Sequence, residues 1–131
     1  MLEMAMVMPL LALLVFGAVG LARLANVSET LHNACREGAR YSAMPVVGSN
    51  ALPGVGEVVQ RVVNFAAADD ITLNPLAVSV SQEVDQTVNG LTTSYSDVQV
   101  VYHFKFMLPL LTDLVPSVTL SPQAEMRNEI N

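Results

Sequence analysis

From Met4 to Ala22 the chain runs 19 residues without a charge, MAMVMPLLALLVFGAVGLA. As a helix rising about 1.5 Å per residue, this run nearly crosses a bilayer hydrocarbon core of about 30 Å. A core helix of a soluble protein keeps a polar face, and this run has none. It must be covered by lipid or by other apolar helices. The chain-wide figures of 52% hydrophobic and 14% charged residues therefore average two different environments. They also exclude disorder, which needs low hydrophobicity and high net charge.

The run does not read as a secretory signal. Such a signal has a basic leading region and a shorter apolar core. Here Met-Leu-Glu precedes the run, and only AVGLAR imitates a cleavage site. Only Arg23 flanks the run, so the distribution of bases sets no orientation. Charge is uneven elsewhere too. Residues 1–40 carry three acids and three bases, whereas residues 41–131 carry nine acids and three bases, which is the whole net charge of −6. An acidic part without a basic patch argues against nucleic acid as a partner and against binding anionic lipid through the domain surface.

The helical pattern continues past the apolar run. Leu24, Val27, Leu31, Ala34, Cys35, Gly38, Ala39 and Ser42 recur at three- and four-residue spacing, with polar residues between them. The spacing predicts one helix from about Leu2 to about Met44. Its first half (1–24) is a membrane or filament-core segment. Its amphipathic second half (25–44) opens a globular part spanning 25–131. PVVGSNALPG (45–54) reads as a loop. Val55, Val58, Val59, Val62 and Ala66 predict a second helix over 55–69. From Leu76 the period becomes two, and Asn89-Gly90 signals a hairpin. A strand from Tyr95 to Phe106, a Pro-containing loop over 107–116 and a strand from Val118 to Met126 complete three antiparallel strands within 76–126. Such a sheet needs one face covered, and the amphipathic half of the long helix is the cover. The fold class is α+β.

Motifs for chemistry are absent. No nucleophile elbow, zinc-protease motif, Walker loop or dinucleotide fingerprint occurs, so the chain is not expected to be an enzyme, and no cofactor or metal is expected. His32 and His103 read as a helix-surface and a sheet residue. Cys35 is the only cysteine. It excludes an intrachain disulfide, and its place on the small-residue face predicts a buried, inert thiol. Asp69-Asp70 reads as a helix end, since a calcium cage needs more oxygen ligands.

Glu3 heads the apolar run. A carboxylate there is costly inside lipid or a dry core unless paired. It is either a headgroup-level residue or the partner of a positive group on a neighbouring copy, most naturally an N-terminal amine. Pro9 frees the carbonyl four residues back and permits a kink. Gly17 and Gly20 remove bulk and allow close helix contact. These four residues are the candidate assembly determinants.

The acid and Pro in LEMAMVMPLL, the REGAR stretch (Arg36, Glu37, Gly38, Ala39, Arg40) on the same helix, and the closing MRNE (Met126, Arg127, Glu129) together resemble TadE/TadG-like pilins, the pseudopilins of tight-adherence pilus systems. The resemblance implies a pilin-like fold. It also implies a bacterial structural subunit, held in the inner membrane by one helix and then assembled into an extracellular filament. Implied partners are copies of itself or other pilins, a prepilin peptidase that removes a short basic leader, and the pilus assembly machinery. In that superfamily the glutamate is usually fifth in the mature chain. Glu3 is third here, so two residues precede Met1 in the mature protein, cleavage falls elsewhere, or Met1 is an initiator. The alternative is a single-pass anchored accessory or binding domain that never polymerises.

Overall fold

The computed structural model describes residues 2–49, 51–88, 90–106 and 117–129; of residues 2–5 and 88 it describes the backbone alone. Helix α1 runs unbroken over Leu2–Ala43, 42 residues, with Pro9 inside it. Its second half buries Leu31, Ala34, Cys35, Gly38, Ala39, Ser42 and Ala43. That stripe is made almost entirely of small residues, so other elements approach the helix backbone closely. Helix α2 (Val55–Ala67) lays Val58, Val62 and Ala66 against it, one residue per turn. Val55, expected on the same face, is about half exposed. Beyond α2, Asp70 adopts a left-handed φ of 58° and the Ile71 N–H donates to the Ala66 carbonyl at 3.1 Å. This closure turns the chain back and drives Ile71 into the core.

A 3-10 turn (Pro75–Ala77), capped by the Asn74 side chain on the Leu76 N–H, leads into strand β1 (Val78–Val88). β1 pairs antiparallel with β2 (Leu91–Val100), and Val88 faces Leu91 across the expected hairpin. Asn89 itself lies outside the described residues, as does the expected loop over 107–116. Strand β3 (Tyr102–Phe104) pairs with β4 (Val118–Leu120), and β5 (Gln123–Arg127) pairs with β2. Among the described residues the sheets are thus a three-stranded β1-β2-β5 and a two-stranded β3-β4.

This is the α+β arrangement of a long helix, a short helix and a three-stranded antiparallel sheet. Each of the two later strands is divided in two, however. The register shows why. Gln99 faces Gln123 and, beyond the gap, Tyr102 faces Leu120, so one ladder continues across an interruption at Val100–Val101 and Ser121–Pro122. Pro122 has no N–H to give to the ladder. Its carbonyl accepts from Val100 at 3.0 Å, and the Val101 N–H turns to Ala77 at 2.9 Å. The alternation survives the break, with Ser96, Val98, Val100 and Phe104 all buried.

β1 carries the second irregularity. Ser81 faces Asp97 and Val84 faces Tyr95, so Gln82 and Glu83 together oppose Ser96, with Glu83 at φ 60°. This bulge turns Gln82 toward the helix, where its amide donates to Ser42 Oγ and to the Pro53 carbonyl, both at 2.9 Å.

The tightest seam is at Gly38. A Cβ there would overlap the Val62 side chain on α2 and lie 3.4 Å from Val98 on β2. Both valines are fully buried, so neither is free to retreat. Gly38→Ala is expected to destabilise the folded chain by about 1–3 kcal/mol through overpacking, measured by chemical denaturation in detergent micelles. Unchanged stability would show that the seam is loose.

Candidate functional site: an apolar stem and the seam that holds the head

Two regions carry the site residues read from the sequence. The first is the stem, the part of α1 before the head. A helix long and apolar enough to cross a membrane begins here, with a mean hydropathy of 2.1 and none of its apolar window buried. Leu10, Leu14, Phe16, Val19 and Leu21 are all more than half exposed. Glu3 lies within the helical backbone of α1, but its side chain is outside the described residues. Pro9 is exposed and does not end the helix. Among the described residues outside its own helical turn, nothing lies within 4 Å of where a Cβ on Gly17 would stand. Gly20 differs, because Phe106 of the head sits 3.3 Å from its Cβ position. One of the two glycines is open to another helix, and the other already accommodates the chain's own head.

The second region is the seam. Arg36 is exposed. Glu37, one position along, accepts from Arg40 Nε at 3.1 Å and from Arg61 Nη2 on α2 at 2.9 Å. The Arg61 guanidinium also lies 5.7 Å from the centre of the Tyr41 ring. Gly38 makes the close contact, Ala39 is buried beside it, and the Arg40 side chain is about half exposed. The REGAR stretch is therefore where α1 grips α2. Hydrogen bonds from Arg40 and then Arg61 hold the Glu37 carboxyl below its usual range.

The closing MRNE stretch does a related task. Met126 and Arg127 are exposed on β5. The Glu129 N–H donates to the Ala43 carbonyl at 3.0 Å, satisfying one of the free carbonyls at the end of α1. Between them, Asn128 is buried: its side-chain oxygen accepts from Ser96 Oγ at 2.7 Å and its N–H donates to the Ser94 carbonyl at 2.9 Å. The sequence reading missed Asn128 and Ser96, whose polarity at inward positions is the only signal they give.

Cys35 is fully buried, with its thiol 3.5 Å from the Pro122 carbonyl. Burial pushes its pKa up to about 11. His32 is exposed on α1 with Nδ1 2.9 Å from the Ser28 carbonyl, and His103 is exposed with Nδ1 3.1 Å from Thr119 Oγ1. Asp69 accepts the Thr30 hydroxyl at 3.0 Å. Among the described residues no three His, Cys, Asp or Glu side chains gather where a metal could be held. At the junction of stem and head lies an open groove of about 1090 Å³, bordered by Phe16, Val19, Arg23, Asp69, Lys105 and Phe106.

An α+β head on an exposed apolar stem defines a class of protein that completes its packing only against lipid or other chains. Residues 1–40 match the model of the family described as TadE-like protein, which is the resemblance the sequence carried. The match spans the stem and the REGAR stretch, fewer than a third of the residues. No curated protein and no solved structure matches the chain. The match and the stem together support an anchor in a membrane and an association with Tad pilus systems.

Two outcomes follow for the seam. Glu37→Gln is expected to cost on the order of 1 kcal/mol or less, since both arginine partners are about half exposed and solvent screens the pairs. A depressed carboxyl pKa contributes stability that is present above the ordinary carboxylate value and lost as pH falls below it, through the lower value of the folded state. The gap between wild type and variant should therefore close on acidification from pH 7 to below about 4; a gap that stays constant would assign the loss to packing. Cys35 is expected to resist a maleimide at neutral pH while the head is folded and to react on denaturation. Fast labelling of the native chain would contradict its burial.

Proposed function

We propose that this chain is a structural subunit of an extracellular, Tad-type pilus filament. One observation supports the reading above others: the stem is apolar all round and uncovered, yet it continues as a single helix into the stripe on which the head is built. In the bilayer, lipid covers the stem. After extraction, only the stems of other copies or other pilins offer an equivalent surface, at about 25 cal/mol per Å² removed from water. The acidic head faces outward. Copies meet head to tail, so the contacts are heterologous and helical. Gly17, whose Cβ position meets nothing from the rest of the described chain, is a point of close approach between stems. Glu3 pairs with a positive group of a neighbour, and Pro9 lets the stem bend. The role is structural rather than enzymatic. A prepilin peptidase and the pilus assembly machinery are the implied processing partners, with the inner membrane the site before assembly and the cell surface after it.

The test is Glu3→Ala in the producing cell. The variant should insert in the membrane at wild-type levels, while filaments in sheared surface material fall by tenfold or more, about 1.4 kcal/mol per tenfold. Normal filament yield would end the pairing idea. Wild-type protein confined to the membrane fraction, and never sheared from the surface, would support the anchored accessory domain instead.

A further inference from the structure

The head has two layers, and their outer sides carry opposite charge. On α1, Leu31, Ala34, Cys35, Gly38, Ala39 and Ser42 face the core. At about 100° per residue, Glu29, Asn33, Arg36 and Arg40 form the opposite stripe, and all four are exposed. Going up the helix, the stripe reads one acid, one amide and two bases. Glu37 holds Arg40, whose side chain is still about half exposed, and Arg36 makes no ion pair among the described residues.

On the sheet, Ser96, Val98 and Val100 point to the core, so Asp97 and Gln99 point away from it. The register sets Asp97 directly opposite Glu125 on β5, with Ser81 of β1 on its other side. Two carboxylates facing each other across a ladder repel and weaken it. The Gln123 amide donates to Asp97 at 3.0 Å, which satisfies one oxygen and leaves the charge. Arg127 stands one row higher on the same face, opposite Tyr95. Neither carboxylate forms an ion pair with it or with any other described base. The sheet thus carries an unfavourable pair on its outer face that nothing in the described chain relieves.

The bases and these acids stand at one height. β5 begins beside Pro122, whose carbonyl receives the Cys35 thiol, and the chain rejoins α1 where the Glu129 N–H meets the Ala43 carbonyl. Glu125 lies midway, level with Gly38 and Ala39, and Arg36 and Arg40 bracket that level on the far side of the head. Phe106 packs at Gly20, about 22 Å below Cys35. Ser117 is roughly 25 Å short of Glu125 at strand spacing. The backbone of residues 107–116, fixed at those two ends, extends no more than about 20 Å from the nearer one and ends short of both faces.

We propose that copies of this chain pack front to back through their heads, with Arg36 and Arg40 of one copy against Asp97 and Glu125 of the next. Stems held parallel, in one bilayer or one filament, bring these four residues to one level. A base set between the two carboxylates removes the repulsion that the sheet carries alone. Because a helix stripe meets a sheet face, the contact is heterologous, and each copy keeps one face for a further copy. The pairs are partly exposed, so they select the neighbour and its register more than they add affinity. The inference deepens the filament reading and rests on it for bringing the copies side by side.

The experiment uses the full chain in the producing cell, with Asn33→Cys on the helix stripe and Ser81→Cys in the row of Asp97, treated with a short bismaleimide. The two positions lie on opposite sides of the head, so a bridge joins different copies, and the buried Cys35 stays unlabelled. A ladder of dimers, trimers and higher products is expected. Arg36→Glu and Glu125→Arg, each added alone, should lower the ladder at least about fivefold, and the two together should restore most of it. Glu125→Arg should leave the folded chain no less stable in detergent micelles, because it ends the repulsion with Asp97; a lost ladder is then not lost folding. A ladder indifferent to the single reversals, or still missing in the double, would overturn the pairing. Dimers from Ser81→Cys alone would mean that sheet faces meet each other, and bridges only to another protein would displace the second copy; either result overturns the proposal. Sheared filaments without a ladder would remove the head contact and leave the filament reading. A ladder confined to the membrane fraction would keep the contact and remove the filament, and absence of both would remove both.

Discussion

The interaction on which everything else depends is one the chain cannot make alone: cover for the apolar stem. The head is built on the second half of α1, and within the described residues the stem keeps its apolar surface open from Met6 to Leu21. Water is the worst available neighbour for that surface. Because stem and head share one helix, whatever covers the stem also fixes where the head sits. Membrane anchoring and head placement are then two consequences of one continuous helix, in which Pro9 removes a single hydrogen bond without ending it.

Rigidity at the seam makes that coupling effective. Gly38 brings α2 and β2 to near contact with the α1 backbone, and Glu37 ties α1 to α2 through Arg61. Gln82, released by the β1 bulge, reaches Ser42 and Pro53, and the Glu129 N–H holds the last carbonyl of α1. Each link is worth little by itself: an exposed ion pair or a single hydrogen bond contributes about 1 kcal/mol. Together they attach the helix end to α2, β1 and the chain beyond β5, so the head has few ways to tilt without breaking several at once.

The parts of this arrangement that follow from spacing alone were legible in the sequence. The apolar run, the three- and four-residue recurrence to Ser42 and the two-residue alternation after Pro75 report α1 and the sheet. What the pattern could not show is where the ladder is interrupted. Pro122 marks the place, but its effect depends on which residue faces it, and that requires the register. The bulge at Gln82–Glu83 is similar: two polar residues in an alternating strand look like an ordinary exposed pair until Ser42 is found opposite. Glu37 read as one letter of a family stretch. Its partner Arg61 is 24 residues away, and no local period connects them.

The same pairing bears on what the family match means physically. The match ends at residue 40, yet the matched residues do not form a separable anchor. Leu31, Ala34, Cys35 and Ala39 are core residues of the head, Gly38 is shaped to receive Val62 and Val98, and Glu37 is partnered from α2. Cut at residue 40, the helix would expose a second apolar stripe in addition to the stem. The forty matched residues therefore specify two docking faces in series. One is apolar all round, for lipid or neighbouring stems. The other is narrow and small-residue-rich, for a head of the chain's own making. The second face constrains the head by shape at Gly38 and by charge at Glu37. It asks for a helix with a β-branched residue opposite Gly38 and a strand with another, and Val62 and Val98 supply them here.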